Sequence, residues 1–205
     1  MRLLSLLACV LAGCFGLGPR VDRTRYFTLA PLGSDEAAPA SDLTLGLGPI
    51  VFPGYLDRMS VVRRTGANEL GVSANDRWAE PLRDAFGTTL QQNLAVLLGT
   101  PRIAQYPWAR SARPLLAIDV DVLRFEALAK GDAEVAAVWH VVRVADGAVL
   151  VGRTSRIAEP ASGSDTDAAV LALSRALGAL SREIATAVHA EQAAGHVQPP
   201  NRPRA

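Results

Sequence analysis

The sequence predicts an α/β fold of the α+β kind: a mixed, largely antiparallel sheet with two long amphipathic helices packed against it. Three observations carry this. Two stretches repeat apolar residues every three or four positions, as a helix with one buried face requires. Several shorter stretches alternate apolar and polar residues, as a half-buried strand requires. Tight-turn residues separate neighbouring alternating stretches, which favours antiparallel hairpins.

The first 13 residues stand apart from that pattern. Arg2 precedes an apolar run through Leu11, followed by Ala12, Gly13 and Cys14. A charged start, a short apolar stretch and small residues before a cut make a signal peptide, too short for a permanent membrane helix. Leu11-Ala12-Gly13-Cys14 matches a lipobox at all four positions, so cleavage is expected before Cys14, with a diacylglycerol on its thiol and an acyl chain on its amine. Two or more acyl chains hold a protein stably on a membrane, at roughly 0.8 kcal/mol per buried methylene. Phe15 follows, where Asp would favour retention at an inner membrane.

Residues 14–24 read as a lipidated tether. The ten residues from Phe15 to Thr24, extended at about 3.3 Å each, keep the domain within roughly 33 Å of its anchor. Residues 25–190 form the expected single domain. Arg25–Leu29 is the first strand candidate, Leu43–Phe52 the second and Met59–Arg63 the third, with Tyr55–Arg58 as a turn-like connector and a hairpin turn around Gly66–Asn68.

A first helix is expected between Asp76 and Leu98. Trp78, Leu82, Phe86, Leu90 and Leu94 form its stripe; Pro81 moves the regular part toward Glu80, and Gly99 to Pro101 end it. Leu116, Ile118, Val120 and Val122 alternate in a strand. Phe125 falls out of phase with them, which predicts a bulge or a change of partner near Arg124. Val135–Val144 and Val149–Ile157 pair through the Asp146-Gly147 turn.

Ser164-Asp165-Thr166-Asp167 has the form of a capping box opening the second helix. Val170, Leu173, Leu177, Leu180, Ile184 and Val188 make its stripe. Residues 191–205, with Pro199, Pro200 and Pro203, read as a disordered tail.

Composition narrows the function. Removing the signal peptide leaves 20 basic and 20 acidic side chains, a balance with no global field for nucleic acid. Cys9 departs and Cys14 is blocked, so stability must come from a packed core rather than a disulfide. His140, His189 and His196 share no metal-ligand spacing. Asp119 and Asp121 share a strand face, as solvent-facing acids do. Glycine-rich phosphate loops and nucleophile elbows are absent from the sequence. The expected class is therefore not an enzyme, with no cofactor beyond the covalent lipid.

A family resemblance sharpens this. Arg25-Tyr26-Phe27-Thr28-Leu29, Gly48-Pro49 with Pro53-Gly54-Tyr55-Leu56-Asp57-Arg58, Arg77-Trp78-Ala79-Glu80-Pro81-Leu82, Arg124-Phe125-Glu126, Trp139, Leu173–Leu177 and Leu180–Ile184 together resemble the auxiliary lipoproteins of MCE-type ABC lipid-transport systems, typified by PqiC. The resemblance covers about residues 25–185. It implies a subunit anchored by lipid at the outer membrane, on its periplasmic face. The implied partner is an MCE-domain protein, with homo-oligomerisation that can close a ring. Tyr26, Tyr55, Leu56, Arg58, Arg77, Trp78, Glu80, Phe125 and Trp139 occupy the motif positions and are expected to determine fold or assembly. The competing reading is a stand-alone envelope lipoprotein that binds a small amphiphile.

Overall fold

The computed structural model describes residues 21–197. The signal peptide, Cys14 and most of the tether lie outside these residues, as do residues 198–205 of the expected tail. Eight strands form one sheet: β1 Arg25–Phe27, β2 Leu45–Val51, β3 Ser60–Arg64, β4 Leu70–Trp78, β5 Ile103–Gln105, β6 Leu116–Leu128, β7 Ala133–Arg143 and β8 Ala148–Glu159. Two helices, α1 Leu82–Leu97 and α2 Thr166–Ala193, pack on it. Residues 191–193, assigned to the tail from sequence, form the last turn of α2, and Val197 packs against the core.

The sheet corrects the expectation of a largely antiparallel arrangement. β1–β4, β2–β5, β2–β6 and β3–β6 pair parallel, whereas β3–β4, β6–β7 and β7–β8 pair antiparallel. Local turn signals reveal only hairpins. Parallel partners are joined by long crossovers, and β1 reaches β4 across about fifty residues without any turn motif to announce it.

β6 organises the molecule. One edge carries β7 along almost its whole length. The other edge is shared: β2 pairs with its first half from Leu116 to Asp121, and β3 with Ala127 and Leu128 at its end. The loop between β2 and β3, containing the short helical turn Gly54–Leu56, spans the interval. The β6–β7 register shifts between Val122 and Arg124, which restores Phe125 to the buried face.

The helix starts differ from the sequence reading. Asp76, Arg77 and Trp78 end β4, and α1 begins only at Leu82 with Pro81 as its cap. The four-residue spacing of Trp78 from Leu82 reflects two elements burying side chains in one core. Asp165, not Ser164, caps α2, its carboxylate accepting from the Ala168 amide at 2.8 Å. Asp167, expected to answer the cap, instead accepts from Arg25 at 2.7 Å. β5 carries only three residues and shows no alternation long enough to read from sequence.

The core lies between the helices and one sheet face. Phe86 of α1, Phe125 of β6 and Phe52 after β2 meet edge to face, with centroids 5.1 to 6.3 Å apart. Leu173, Leu177, Leu180, Ile184 and Val188 are buried along α2. A polar tie crosses the helices: Asn93 donates to Ser181 Oγ at 3.0 Å and accepts from the Leu32 amide at 2.8 Å. That tie fixes the segment following β1 across both helices.

Candidate interaction surface

Side chains alternate across a strand, so the covered and open faces of the sheet can be assigned residue by residue. Trp139 of β7 is fully buried on the helix side. Its indole N–H donates to Ser155 Oγ at 2.8 Å, and Ser155 in turn donates to Glu183 of α2. His140, its neighbour, points to the other face, where it meets Asp119 of β6 at 2.8 Å. Residues of that open face are mostly half-buried or exposed.

The nine motif residues divide between the two faces and the adjoining loops. Leu56, Trp78, Phe125 and Trp139 are buried in the core. Tyr26, Arg58, Arg77 and Glu80 are exposed. Tyr55 is half-buried. The structure brings the exposed four together at the β1–β4–β3 side of the sheet. Tyr26 pairs in register with Arg77, and Arg77 with Ser60. Arg58 and Met59 lead directly into Ser60, and the Met59 carbonyl accepts from the Trp78 amide at 2.6 Å. Glu80 follows two residues after Trp78.

A second group forms around Glu126. It stands next to Phe125, which faces the core, and so points to the open side. Its side chain is nevertheless only 1% exposed, because Tyr55 and Arg64 close over it. Arg64 donates through Nε to Oε2 at 2.5 Å and through Nη2 to Oε1 at 2.9 Å, and the Tyr55 hydroxyl donates to Oε1. Burial alone would raise the Glu126 pKa, but the Arg64 and Tyr55 hydrogen bonds outweigh it and hold the carboxyl below its ordinary range. Burial, followed by the neighbouring carboxylate, pushes the Tyr55 phenol up to about 12. Glu126 keeps Arg64 protonated more firmly still.

Arg64 and Glu126 were missed as site residues from sequence alone. An acid between Phe125 and Ala127 in an apolar strand was the available signal. The buried partners that neutralise it come from Tyr55 and Arg64, 71 and 62 residues away. Trp108 was missed as well. It lies over Gly46 of β2, whose missing Cβ leaves room for the indole ring; a Cβ there would approach Trp108 to 2.8 Å. Tyr106 meets Trp108 edge to face at 5.6 Å.

A third cluster fastens the chain where it enters the domain. Arg25 reaches Asp76 at 2.9 Å and Asp167 at 2.7 Å. Thr166 donates to Asp76 at 2.5 Å, and Arg63 donates to Thr166 Oγ1 at 3.0 Å and to the Ser164 carbonyl at 2.6 Å. Burial works to raise the Asp76 pKa, but bonds from Thr166, Arg25 and Ser73 prevail and lower it. β1, β3, β4 and the start of α2 are thus tied at one point.

These groups tie the strands, the connecting loops and the start of α2 together. Asp121 is exposed and makes no third member of the Asp119–His140 pair. His189 meets the Leu97 carbonyl and His196 meets Glu191, so each histidine has a separate partner. Among the described residues, no group of three or more His, Cys, Asp or Glu is placed to hold a metal ion. No described helix is long and apolar enough to cross a membrane.

The class the fold defines is a mixed α/β domain: one sheet covered by two helices on one side and carrying exposed and buried charge on the other. The family model for the ABC-type transport auxiliary lipoprotein component matches residues 27–185, and the chain belongs to that family. It is thus an accessory of transport rather than an enzyme. A crystal structure of a Xanthomonas campestris protein shares 21% identity with a TM-score of 0.68, covering 84% of this chain and 99% of that one. Another crystal structure, of an uncharacterized protein, shares 22% identity with a TM-score of 0.66, covering 80% and 98%. Both likenesses concern the fold. Comparison with curated proteins gives no match.

Proposed function

We propose that this chain is the outer-membrane docking subunit of an MCE-type lipid-transport system, cleaved before Cys14 and held by its acyl chains on the periplasmic face. The family match over residues 27–185 is the observation that carries this reading. The domain, taken as residues 25–190, acts by binding an MCE-domain protein and by associating with copies of itself. Confinement on a membrane raises the effective concentration of the subunits, so a weak interface suffices for a homo-oligomer or a closed ring. The exposed motif residues Tyr26, Arg58, Arg77 and Glu80 make contacts outside the domain, while Leu56, Trp78, Phe125 and Trp139 hold the fold that presents them.

Two clefts among the described residues are open rather than enclosed, which fits a docking role better than solitary capture of an amphiphile. The groove of about 340 Å³ between Arg113, Leu115, Arg143 and Val197 and that of about 300 Å³ between Gly48, Arg83 and Tyr106 are both open to solvent. A stand-alone carrier would bury most of its ligand. The test uses full-length protein at native expression in cells that carry the neighbouring transport genes. Cysteine crosslinking should capture the chain with itself and co-purify the MCE protein. Failure of both, with membrane attachment intact, would replace this reading with the independent amphiphile binder.

A further inference from the structure

We infer that the Tyr26–Arg77 side of the domain lies against the phospholipid headgroups of the membrane that holds Cys14. This rests on the anchored reading of the chain and adds an orientation to it. Val21 follows Cys14 by seven Cα–Cα steps, so it stands no farther than about 25 Å from the anchored cysteine. Val21 is 81% exposed, and β1 begins four residues later. The Arg25 cluster then fixes β1 to β4 and α2, so the short link constrains the whole domain rather than a loose end.

The side chains around this point have the composition of an interfacial surface. Tyr26 is 66% exposed and Met59 37% exposed. Arg23 and Arg58 form no ion pair among the described residues, and Arg77 makes only a longer-range interaction with Asp22. Tyr suits the boundary between headgroups and acyl chains, and arginine places its stem along apolar material while its guanidinium meets phosphate. Asp22 and Glu80 lie in the same region, so the attraction comes from individual arginine–phosphate contacts and buried apolar area rather than from net charge. A protein interface could use similar side chains. The bilayer is favoured because the anchor brings it within reach of every copy, whatever else is bound.

The sheet supplies an internal control. From β1 through β4, β3, β6 and β7 to β8 there are five inter-strand steps, about 24 Å in all. With the sheet standing on its β1 edge, Val149 of β8, exposed on the same open face as Tyr26 and Arg77, should stand away from the bilayer. Acylated full-length protein would carry Tyr26→Cys, Arg77→Cys or Val149→Cys, each nitroxide-labelled. The vesicles would contain phosphatidylethanolamine and phosphatidylglycerol, with a small fraction of nickel-chelating lipid.

Relaxation of the label by the surface nickel should be greater at 26 and 77 than at 149 by about threefold or more, given the roughly 24 Å between them. Equal relaxation at all three sites would overturn the orientation. Relaxation at 26 and 77 that is weak in vesicles, with labels immobilised only after the MCE partner is added, would assign this face to protein and also reject it. Vesicle flotation, measured first, separates the two levels. Loss of flotation would show that the anchoring reading has failed, whereas retained flotation with equal relaxation rejects the orientation alone. The Arg58→Glu/Arg77→Glu variant should keep its thermal midpoint and lose the difference between 26 and 149. A retained difference would show that the arginines do not set the orientation.

Discussion

The two faces of the sheet carry parts of the same sequence motifs under different physical constraints. Arg77 and Trp78 are adjacent in β4, yet Trp78 is 2% exposed against the helices while Arg77 is exposed on the other side. Phe125 and Glu126 divide in the same way, one into the aromatic cluster and the other beneath Arg64 and Tyr55. On the covered face, packing explains why a large apolar residue is present. On the open face, exposed Tyr26, Arg58 and Arg77 add little to the packed core, which makes them the residues at which contacts outside the domain can be tested.

Replacing Trp78 should separate these constraints most strongly. Trp78→Ala removes a buried indole and is expected to cost about 3–5 kcal/mol, a large part of the 5–15 kcal/mol margin of an ordinary domain. Urea denaturation should show a lower midpoint. An unchanged midpoint would mean that Trp78 is a contact residue despite its burial.

Glu126 tests whether the open face also contains a structural element. Glu126→Gln leaves Arg64 without its buried anion and is expected to cost about 3 kcal/mol. Its pH dependence has a definite sign. The folded pKa of Glu126 is lowered, so its contribution is complete above the unfolded value of about 4.3 and is lost as pH falls through the lower folded value. Wild type should therefore lose stability below about pH 4.3 more steeply than the Gln variant. Parallel stability profiles in acid would show that the carboxylate adds nothing beyond an amide.

The smallest stability effect is expected at the exposed pair. Tyr26→Ala/Arg77→Ala should shift stability by only about 0.5 kcal/mol, as surface substitutions usually do. The same variant should weaken crosslinking or membrane orientation in the full-length protein. A large fall in thermal midpoint with normal assembly would return both residues to the fold.

Legibility in the sequence follows the same division. The long amphipathic stretch of α2 and the alternation in β6 are local patterns, and residues buried by them could be named directly. The phase break at Phe125 even located the bulge, because a side chain that must be buried cannot stay on the wrong side of a pleat. The assignment of Asp76–Trp78 to a helix failed because Trp78 and Leu82 share a core at a helical spacing while belonging to different elements. Parallel pairing was hidden because β1, β2 and β3 find their partners across distant sequence. Motif resemblance drew attention to the open-face residues, but their gathering through Tyr26, Arg77 and Ser60 depended on strand register.

The fastening at Arg25 also determines how the domain bears a load. Force transmitted from a membrane anchor would arrive at β1, an edge strand of only three residues and a weak point if held by its own pairing. Arg25 connects that strand to Asp76 and Asp167, and through Asp76 to Thr166 at the head of the 28-residue α2. A pull is therefore divided between sheet and helix before β1 can peel away. An anchor at Cys14 would have, in mechanical terms, a distributed footing.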